Sequence, residues 1–105
     1  MSTYFPHERL DAYRRACSVA RRVRATPFPR GDAPLKDQAK RAADSVVLNL
    51  AEGVGRAGKD RQRHFRIAIG SAAEASAVFD LVDLPGGAES QAELRRVAAM
   101  LRKLR

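Results

Sequence analysis

The stretch LKDQAKRAADSVVLNLAEGVGR, Leu35–Arg56, decides the fold of this chain. Read at 100° per residue, it has one broad apolar arc and, beside it, a narrow line of polar side chains. The arc consists of Leu35, Ala39, Ala42, Ala43, Val46, Val47, Leu50 and Val54, and the polar line of Gln38, Arg41, Ser45, Asn49 and Glu52. Steps of three and four place such side chains on neighbouring turns of one helical face. The pattern predicts a central helix with a polar seam at the edge of its packed surface.

Three further segments show the apolar spacing of helices. We expect helix 1 from about Pro6 to Ala25, helix 2 from Pro34 to Glu52 or Gly53, and helix 3 from Lys59 to Leu84. The box Ser90-Gln91-Ala92-Glu93 is expected to cap helix 4, which then runs almost to the last residue. Between helices 1 and 2, prolines and Gly31 exclude regular structure, and Phe28 is expected to tie this loop to the bundle. Asp32 or Ala33 is expected to cap helix 2.

Four amphipathic helices with short connections predict an all-α fold, an antiparallel up-down four-helix bundle. No alternating run is long enough for a strand, and 105 residues suit one domain, residues 1–105. Hydrophobic residues make up 45% of the chain, but many of them are alanine and only 6% of the chain is aromatic. Because alanine buries little area, we expect copies of the chain to complete their burial against one another as a homo-oligomer.

The net charge is +8, and it is unevenly distributed. Residues 1–66 hold 15 Lys and Arg against 7 Asp and Glu, whereas residues 67–105 hold 5 of each. This asymmetry indicates a polyanionic partner, with nucleic acid ahead of an anionic membrane, although a basic surface also serves solubility. The candidate nucleic-acid-binding residues are Lys36, Lys40, Arg56, Lys59, Arg61, Arg63 and Arg66, followed by Arg21 and Arg22. Such side chains contact phosphates rather than bases.

Several site classes find no support in the sequence. His7, His64 and Cys17 lack the spacing of metal ligands, so no metal or cofactor is expected. We expect His64 to be a solvated surface residue and Cys17 to belong to the core. The run Gly53–Lys59 lacks the GxxxxGK[ST] pattern and follows a helix, which argues against a nucleotide site. The sequence offers no set of nucleophile, base and orienting group for a catalytic site, so we expect the protein not to be an enzyme. No apolar stretch is long enough to span a membrane. We expect a cytoplasmic protein.

The polar seam could be mistaken for a catalytic cluster. Because buried polar groups must be paired, we interpret it instead as a set of hydrogen bonds and ion pairs that joins helices 2 and 3. The structural residues of this interpretation are Gln38, Arg41, Ser45, Asn49, Glu52, Gly53, Gly55 and Glu74. Arg41 is expected to pair with Glu74 or with Glu52 of a neighbouring helix. The glycines from Gly53 to Gly58 are expected to supply turn positions.

These residues carry a family resemblance. Gln38, Arg41, Ala42 and Ser45 match Gln-x-x-Arg-Ala-x-x-Ser, and Asn49–Arg56 matches Asn-Ile-Ala-Glu-Gly-x-Gly-Arg with Leu50 in the Ile position. Downstream, Ala68-Ile69-Gly70-Ser71 leads to Glu74 as in the family's helix 3. The chain resembles the four helix bundle proteins, which are related to proteins encoded by intervening sequences of bacterial large-subunit ribosomal RNA genes. Accessory variability determinants of diversity-generating retroelements are similar.

The resemblance covers residues 8–104 and implies a four-helix bundle that assembles as a homopentamer. It also implies binding to nucleic acid or to a nucleic-acid-handling partner, and no enzymatic activity. Two functions follow. The first is a non-enzymatic accessory factor whose basic surface binds the backbone of RNA or DNA. The alternative is a protein-interaction scaffold for a nucleic-acid-processing partner such as a reverse transcriptase, without direct nucleic-acid binding.

Overall fold

Four α-helices account for most of the chain. The computed structural model describes residues 3–104. The helices are α1 (Asp11–Ala25), α2 (Ala33–Val54), α3 (Gly58–Leu81) and α4 (Gly87–Lys103). No strand occurs within the described residues, so the all-α prediction is confirmed. Within the same residues, no helix is long and apolar enough to cross a bilayer.

The helices pack in sequence order, each against the next, and α4 closes the bundle against α1. Contacts between α2 and α3 pair Gln38 with Glu74 and Asn49 with His64, so early residues of one helix meet late residues of the other. These two helices therefore run antiparallel. The bundle measures 47 × 27 × 20 Å.

The same opposition joins α3 to α4. Gln91, in the first turns of α4, donates hydrogen bonds to the Ser76 carbonyl (2.9 Å) and to Asp80 (2.8 Å) near the end of α3. At the other end of the pair, Leu101 and Phe65 line one groove. The four-helix arrangement predicted from the sequence is thus built from antiparallel neighbours along this side.

Ion pairs tie α1 to both of its neighbours. Arg15 lies 3.2 Å from Glu93 of α4, and Arg24 lies 2.6 Å from Asp44 of α2. All four side chains keep substantial solvent exposure, so water and salt screen both pairs and they add little to the stability of the fold. The apolar core supplies most of the cohesion.

Alanine is the commonest residue of that core, as the composition indicates. Larger side chains fill the centre, among them Leu50, Leu94 and Leu101, each of which is almost fully buried. Phe28, in the loop between α1 and α2, packs against Phe79 with ring centroids 6.3 Å apart. The loop is therefore tied to the bundle by the residue that the sequence suggested.

Two predicted helix boundaries are wrong. Pro6–Arg9 forms a short 3₁₀ turn, and an extended Leu10 (ψ 132°) separates it from the start of α1. At the other end of the bundle, α3 stops at Leu81 rather than Leu84, because Val82 is extended. An extended segment turns alternate side chains to opposite sides, and this buries Val82 and Leu84.

The predicted capping box of α4 is also wrong. Gly86 adopts a positive φ of 79° and α4 begins at Gly87, one turn earlier than expected. A Cβ on Gly87 would lie 3.2 Å from a ring carbon of Phe79, so a side chain at this position would have to displace the ring by a few tenths of an ångström. Ser90 consequently lies inside the helix, 1% exposed, and its hydroxyl has no hydrogen-bond partner within the described chain. Asp32 precedes α2 but makes no capping hydrogen bond either.

Replacing Ser90 by alanine should stabilise the protein. An unsatisfied buried hydroxyl costs about 1–3 kcal/mol, and alanine adds up to about 0.5 kcal/mol of helix propensity. We expect Ser90→Ala to raise the free energy of unfolding by about 1–2 kcal/mol in urea titrations. The control Ser18→Ala changes an exposed helical serine and should give only the propensity gain. Equal effects, or a loss of stability in Ser90→Ala, would show that the Ser90 hydroxyl is satisfied.

Candidate nucleic-acid interface

Hydrogen bonds between side chains connect α2 to α3 at three successive levels of the bundle. Gln38 donates to Glu74 at one end, and Asn49 lies 3.0 Å from His64 at the other. Between them, the hydroxyl of Ser71 donates to that of Ser45 over 2.8 Å. The predicted seam between helices 2 and 3 is present. Two of its levels are hydrogen bonds between uncharged side chains, and at the third the carboxylate of Glu74 is the acceptor.

The contacts of Asn49 determine which groups donate and which accept hydrogen bonds at the His64 end of the seam. The amide nitrogen of Asn49 donates to the carbonyl (3.0 Å) and hydroxyl (3.1 Å) of Ser45. This leaves the Asn49 amide oxygen facing His64, and because that oxygen only accepts, Nδ1 of His64 carries the hydrogen. The His64 side chain is 13% exposed, so the prediction of a solvated surface histidine is wrong. Packing of α3 against α2 turns His64 into the interface.

The ion pair predicted between Arg41 and Glu74 does not form. Glu74 accepts from Gln38 instead, and among residues 3–104 the exposed Arg41 contacts only the Gln38 side chain, over a long 3.4 Å. Glu52 pairs within its own chain with Arg56, at 3.1 Å. Pairing of Arg41 with Glu52 of another copy stays a prediction.

The motif glycines have different roles. Gly53 is buried, and a Cβ there would lie 2.6 Å from a ring carbon of Phe65, a distance that real Cβ atoms do not show. Gly53 therefore permits the close approach of α2 and α3. Gly55 follows the last residue of α2 with a φ of −78°, so of the glycines between Gly53 and Gly58 only Gly58 takes a positive φ, 59°.

Two of the predicted phosphate ligands serve the fold. Arg61 donates to the carbonyls of Arg56 (2.8 Å), Val54 (3.1 Å) and Gly53 (3.2 Å) and so caps the last turn of α2. Arg56 lies 3.1 Å from Glu52 and from Asp60, and its hydrogen bond with Glu52 is the main cause of its raised pKa. Much of the charge of both arginines is thus engaged inside the chain.

The remaining candidates form two separate groups. Lys59, Arg63 and Arg66 lie exposed on the first turns of α3. Lys36 and Lys40 are half-buried in the first turns of α2, which lie about 27 Å away along this antiparallel pair. Arg21 and Arg22, exposed near the end of α1, belong to the second group because a short loop joins α1 to α2. The single patch expected from the sequence is therefore divided between the two ends of the bundle.

A further basic region, which was not predicted from the sequence, lies on α4. Arg95 and Arg102 lie two turns apart and line one groove of about 460 Å³ between α3 and α4. A neighbouring groove of about 300 Å³ shares Ile69 and Arg102 with it and is also lined by Arg66. The balanced charge of residues 67–105 hid this region, whereas the seven-residue spacing of the two arginines could have revealed it.

The described residues contain no group of three or more histidine, cysteine or acidic side chains that could hold a metal ion. Cys17 is half-buried beside Val47 and the exposed Leu48, in a groove of about 380 Å³ between α1 and α2. It therefore lies at the rim of the core rather than within it.

Comparison with known proteins identifies one family. The family model described as "23S rRNA-intervening sequence protein" matches residues 8–103. No match was found among curated proteins. The match covers all four helices and every residue of the seam.

The close approach at Gly53 yields a prediction with opposite signs at two glycines. Gly53→Ala forces a methyl group against Phe65, and overpacking of this kind costs about 1–3 kcal/mol. Gly70→Ala in α3 meets nothing within 4 Å and should stabilise the chain by up to about 1 kcal/mol through helix propensity. Urea denaturation of both variants checks this. If Gly53→Ala matched Gly70→Ala, α2 and α3 would not approach as closely as described.

Proposed function

This chain belongs to the family of 23S rRNA-intervening sequence proteins, and we propose that it is a non-enzymatic, homo-oligomeric accessory protein that binds the RNA backbone through α3. The family match supports a role connected with RNA. The observation that carries the proposal is the exposed group of Lys59, Arg63 and Arg66 at the start of that helix.

These three cations share one helical face. Their spacing of four and then three residues sets them on successive turns, over about 10 Å of helix axis. Lys59 and Arg66 form no ion pair with any described residue, and Arg63 has only a 3.7 Å contact with Asp60. Cations without strong internal partners are available to displace counterions from a polyphosphate backbone.

The chemistry of this face favours contact with phosphates over reading of bases. It carries no aromatic side chain for stacking, because Phe65 is buried between Arg63 and Arg66 in sequence. Binding should therefore be sensitive to salt and tolerant of sequence. DNA offers the same phosphates, so preference for RNA rests on the family and is tested directly below.

Assembly into an oligomer would strengthen RNA binding, because it would repeat the basic face. Leu48, in the middle of α2, is 67% exposed, and it stands beside the half-buried Val47 and Cys17. Burying a leucine contributes about 1.5–3 kcal/mol, which a second copy would supply. We propose that this α1–α2 face joins copies of the chain into a pentamer, in which several weak phosphate sites act together.

The polar seam supports a structural rather than a catalytic role. The hydroxyls of Ser45 and Ser71 bond to each other, and His64 bonds to the Asn49 amide. No histidine is thus placed to activate either hydroxyl as a nucleophile.

We place the protein in the cytoplasm, where ribosomal RNA is found.

A protein-interaction scaffold remains the second candidate. The specific observation in its favour is the groove between α3 and α4, whose lining combines alanine, isoleucine and leucine side chains with arginine. Salt separates the two functions, because binding to many phosphates weakens far more steeply with ionic strength than docking in a largely apolar groove with two arginines at its rim.

Neutralising the α3 face should weaken RNA binding and its salt dependence. For Lys59→Gln/Arg63→Gln/Arg66→Gln, we expect about a tenfold or greater loss of affinity for a structured RNA hairpin. The slope of log affinity against log salt should fall by about 2 for each bound subunit. Fluorescence anisotropy over a salt series measures both quantities, with single-stranded RNA and duplex DNA as comparison ligands.

The matched control removes the same charge from the other end of the bundle, as Arg22→Gln/Lys36→Gln/Lys40→Gln. It should keep most of the affinity. Equal losses in both variants would mean that net charge alone drives binding, and a parent protein that ignores RNA at low salt would refute the proposed function.

Replacing Leu48 should disturb assembly without unfolding the chain. Leu48→Gln removes exposed apolar surface from α2, so we expect a smaller particle in size-exclusion chromatography with light scattering and an unchanged helical circular dichroism spectrum. The control Leu81→Gln alters a leucine that is 71% exposed at the end of α3 and should leave the mass unchanged. A monomeric parent protein, or the reverse pattern, would contradict the proposed α1–α2 interface.

A further inference from the structure

The groove between α3 and α4 has the shape of a binding site for another helix. Its walls come from the two helices, and it has a volume of about 460 Å³. With the adjoining groove it follows α3 from Gln62 to Asp80, about 27 Å or five helical turns. At the Asp80 end, the hydrogen bonds from Gln91 join the two walls.

Small side chains make the floor of this groove accessible to a backbone. Ala73 and Ala77 are exposed on α3, Ala98 faces them from α4, and Ile69 and Leu94 supply larger apolar surface. The distance between packed helices depends on the side chains at their contact, so an alanine floor allows a close approach. Such a floor fits an apolar ridge with side chains at steps of three and four.

The rim of the groove is basic. Arg95 and Arg102 border it from α4, and neither forms an ion pair with a described residue. The only acidic residue in its lining, Asp80, accepts the hydrogen bond from Gln91. An occupant with carboxylates beside its apolar ridge would meet both arginines, and this chain with its net charge of +8 would attract it electrostatically.

The described helices of this chain do not offer such a ridge. The large apolar side chains exposed on them are Leu48 on α2 and Ile67 and Leu81 on α3, and the last two stand about four turns apart. A second copy would also bring its own positive charge to the arginine rim. RNA would find arginines here, but Phe65, the aromatic residue that lines the adjoining groove, is buried and offers its bases no exposed ring to stack on.

We propose that the α3–α4 groove binds an amphipathic α-helix of a partner protein, with the apolar ridge of that helix in the groove and its Asp or Glu side chains against Arg95 and Arg102. This is the helix-in-groove mode of peptide recognition, in which anchors at i, i+4 and i+7 supply most of the affinity. The proposal does not depend on RNA binding by the start of α3.

The test uses a labelled model peptide of about five turns with leucine at those anchor positions and glutamate on both flanks. Its twin carries lysine in place of glutamate. We expect the glutamate peptide to bind the full chain in fluorescence anisotropy at least tenfold more tightly than the twin. Arg95→Glu and Ala77→Phe should each reduce that binding at least tenfold, the first by reversing a rim charge and the second by filling the floor.

Two matched controls lie on α4 outside the lining. Arg96→Glu makes the same charge change next to Arg95, and Ala99→Phe adds the same bulk at an exposed alanine. Both should leave peptide affinity within about twofold. No binding of the glutamate peptide, equal binding of its twin, or equal losses in variants and controls would each overturn the proposal.

Other occupants give distinct results. If Ala77→Phe lowered the particle mass in light scattering without peptide, a second copy would fill the groove and the proposal would be wrong. If Ala77→Phe abolished binding of the RNA hairpin and RNA displaced the peptide, the groove would belong to RNA. Unchanged RNA affinity in Arg95→Glu and Ala77→Phe, together with lost peptide binding, supports a separate site for a partner helix.

Discussion

The contact of Gly53 with the ring of Phe65 is the constraint on which the bundle depends. Any side chain at position 53 would collide with that ring, so α2 and α3 can keep their observed separation at this level only with a glycine there. The close approach brings the two polar lines within hydrogen-bonding distance and aligns Ser45 with Ser71 and Asn49 with His64. Because hydrogen bonds are directional, these pairs fix the register that the alanine-rich apolar contacts leave loose. The tightly joined pair forms the centre of the molecule, and α1 and α4 pack on it from either side.

The same pair decides which charges are available outside. Arg61 turns back to cap α2, and Arg56 lies between Glu52 and Asp60. These two arginines, which the sequence suggested as phosphate ligands, are therefore engaged in contacts within the chain. The charges that remain free on α3 face solvent, and those of α4 border a groove. The start of α3 thus carries exposed cations, and the adjoining groove, which shares Arg66 with them, has an apolar floor and a basic rim. One small bundle can in this way offer two chemically different surfaces.

Much of the fold could be predicted from periodicity alone, because apolar spacing determines which face of each helix is buried. The seam was visible for the same reason, since its members recur at steps of three and four. The predictions that were wrong concern features that depend on contacts with another helix. Ser90 resembles a cap, but α4 begins one turn earlier, at Gly87, which packs against Phe79 after Gly86 has taken a positive φ. His64 lies in a polar run, and only the partner Asn49 shows that it faces inward. The sequence suggested one basic patch because its cations all fall between positions 36 and 66. Antiparallel packing of α2 and α3 puts Lys36 and Lys40 at one end of the bundle and Lys59, Arg63 and Arg66 at the other.

The central functional claim is that RNA meets this chain at the start of α3. Amide chemical-shift mapping by NMR, with isotope-labelled protein titrated with an RNA hairpin at low salt, tests it most directly because it needs no substitution. Binding at the start of α3 predicts the largest shift changes in residues 58–66, small changes in residues 33–40, and their reversal when salt is raised. Changes centred on residues 33–40, or changes spread evenly over all basic helices, would contradict it.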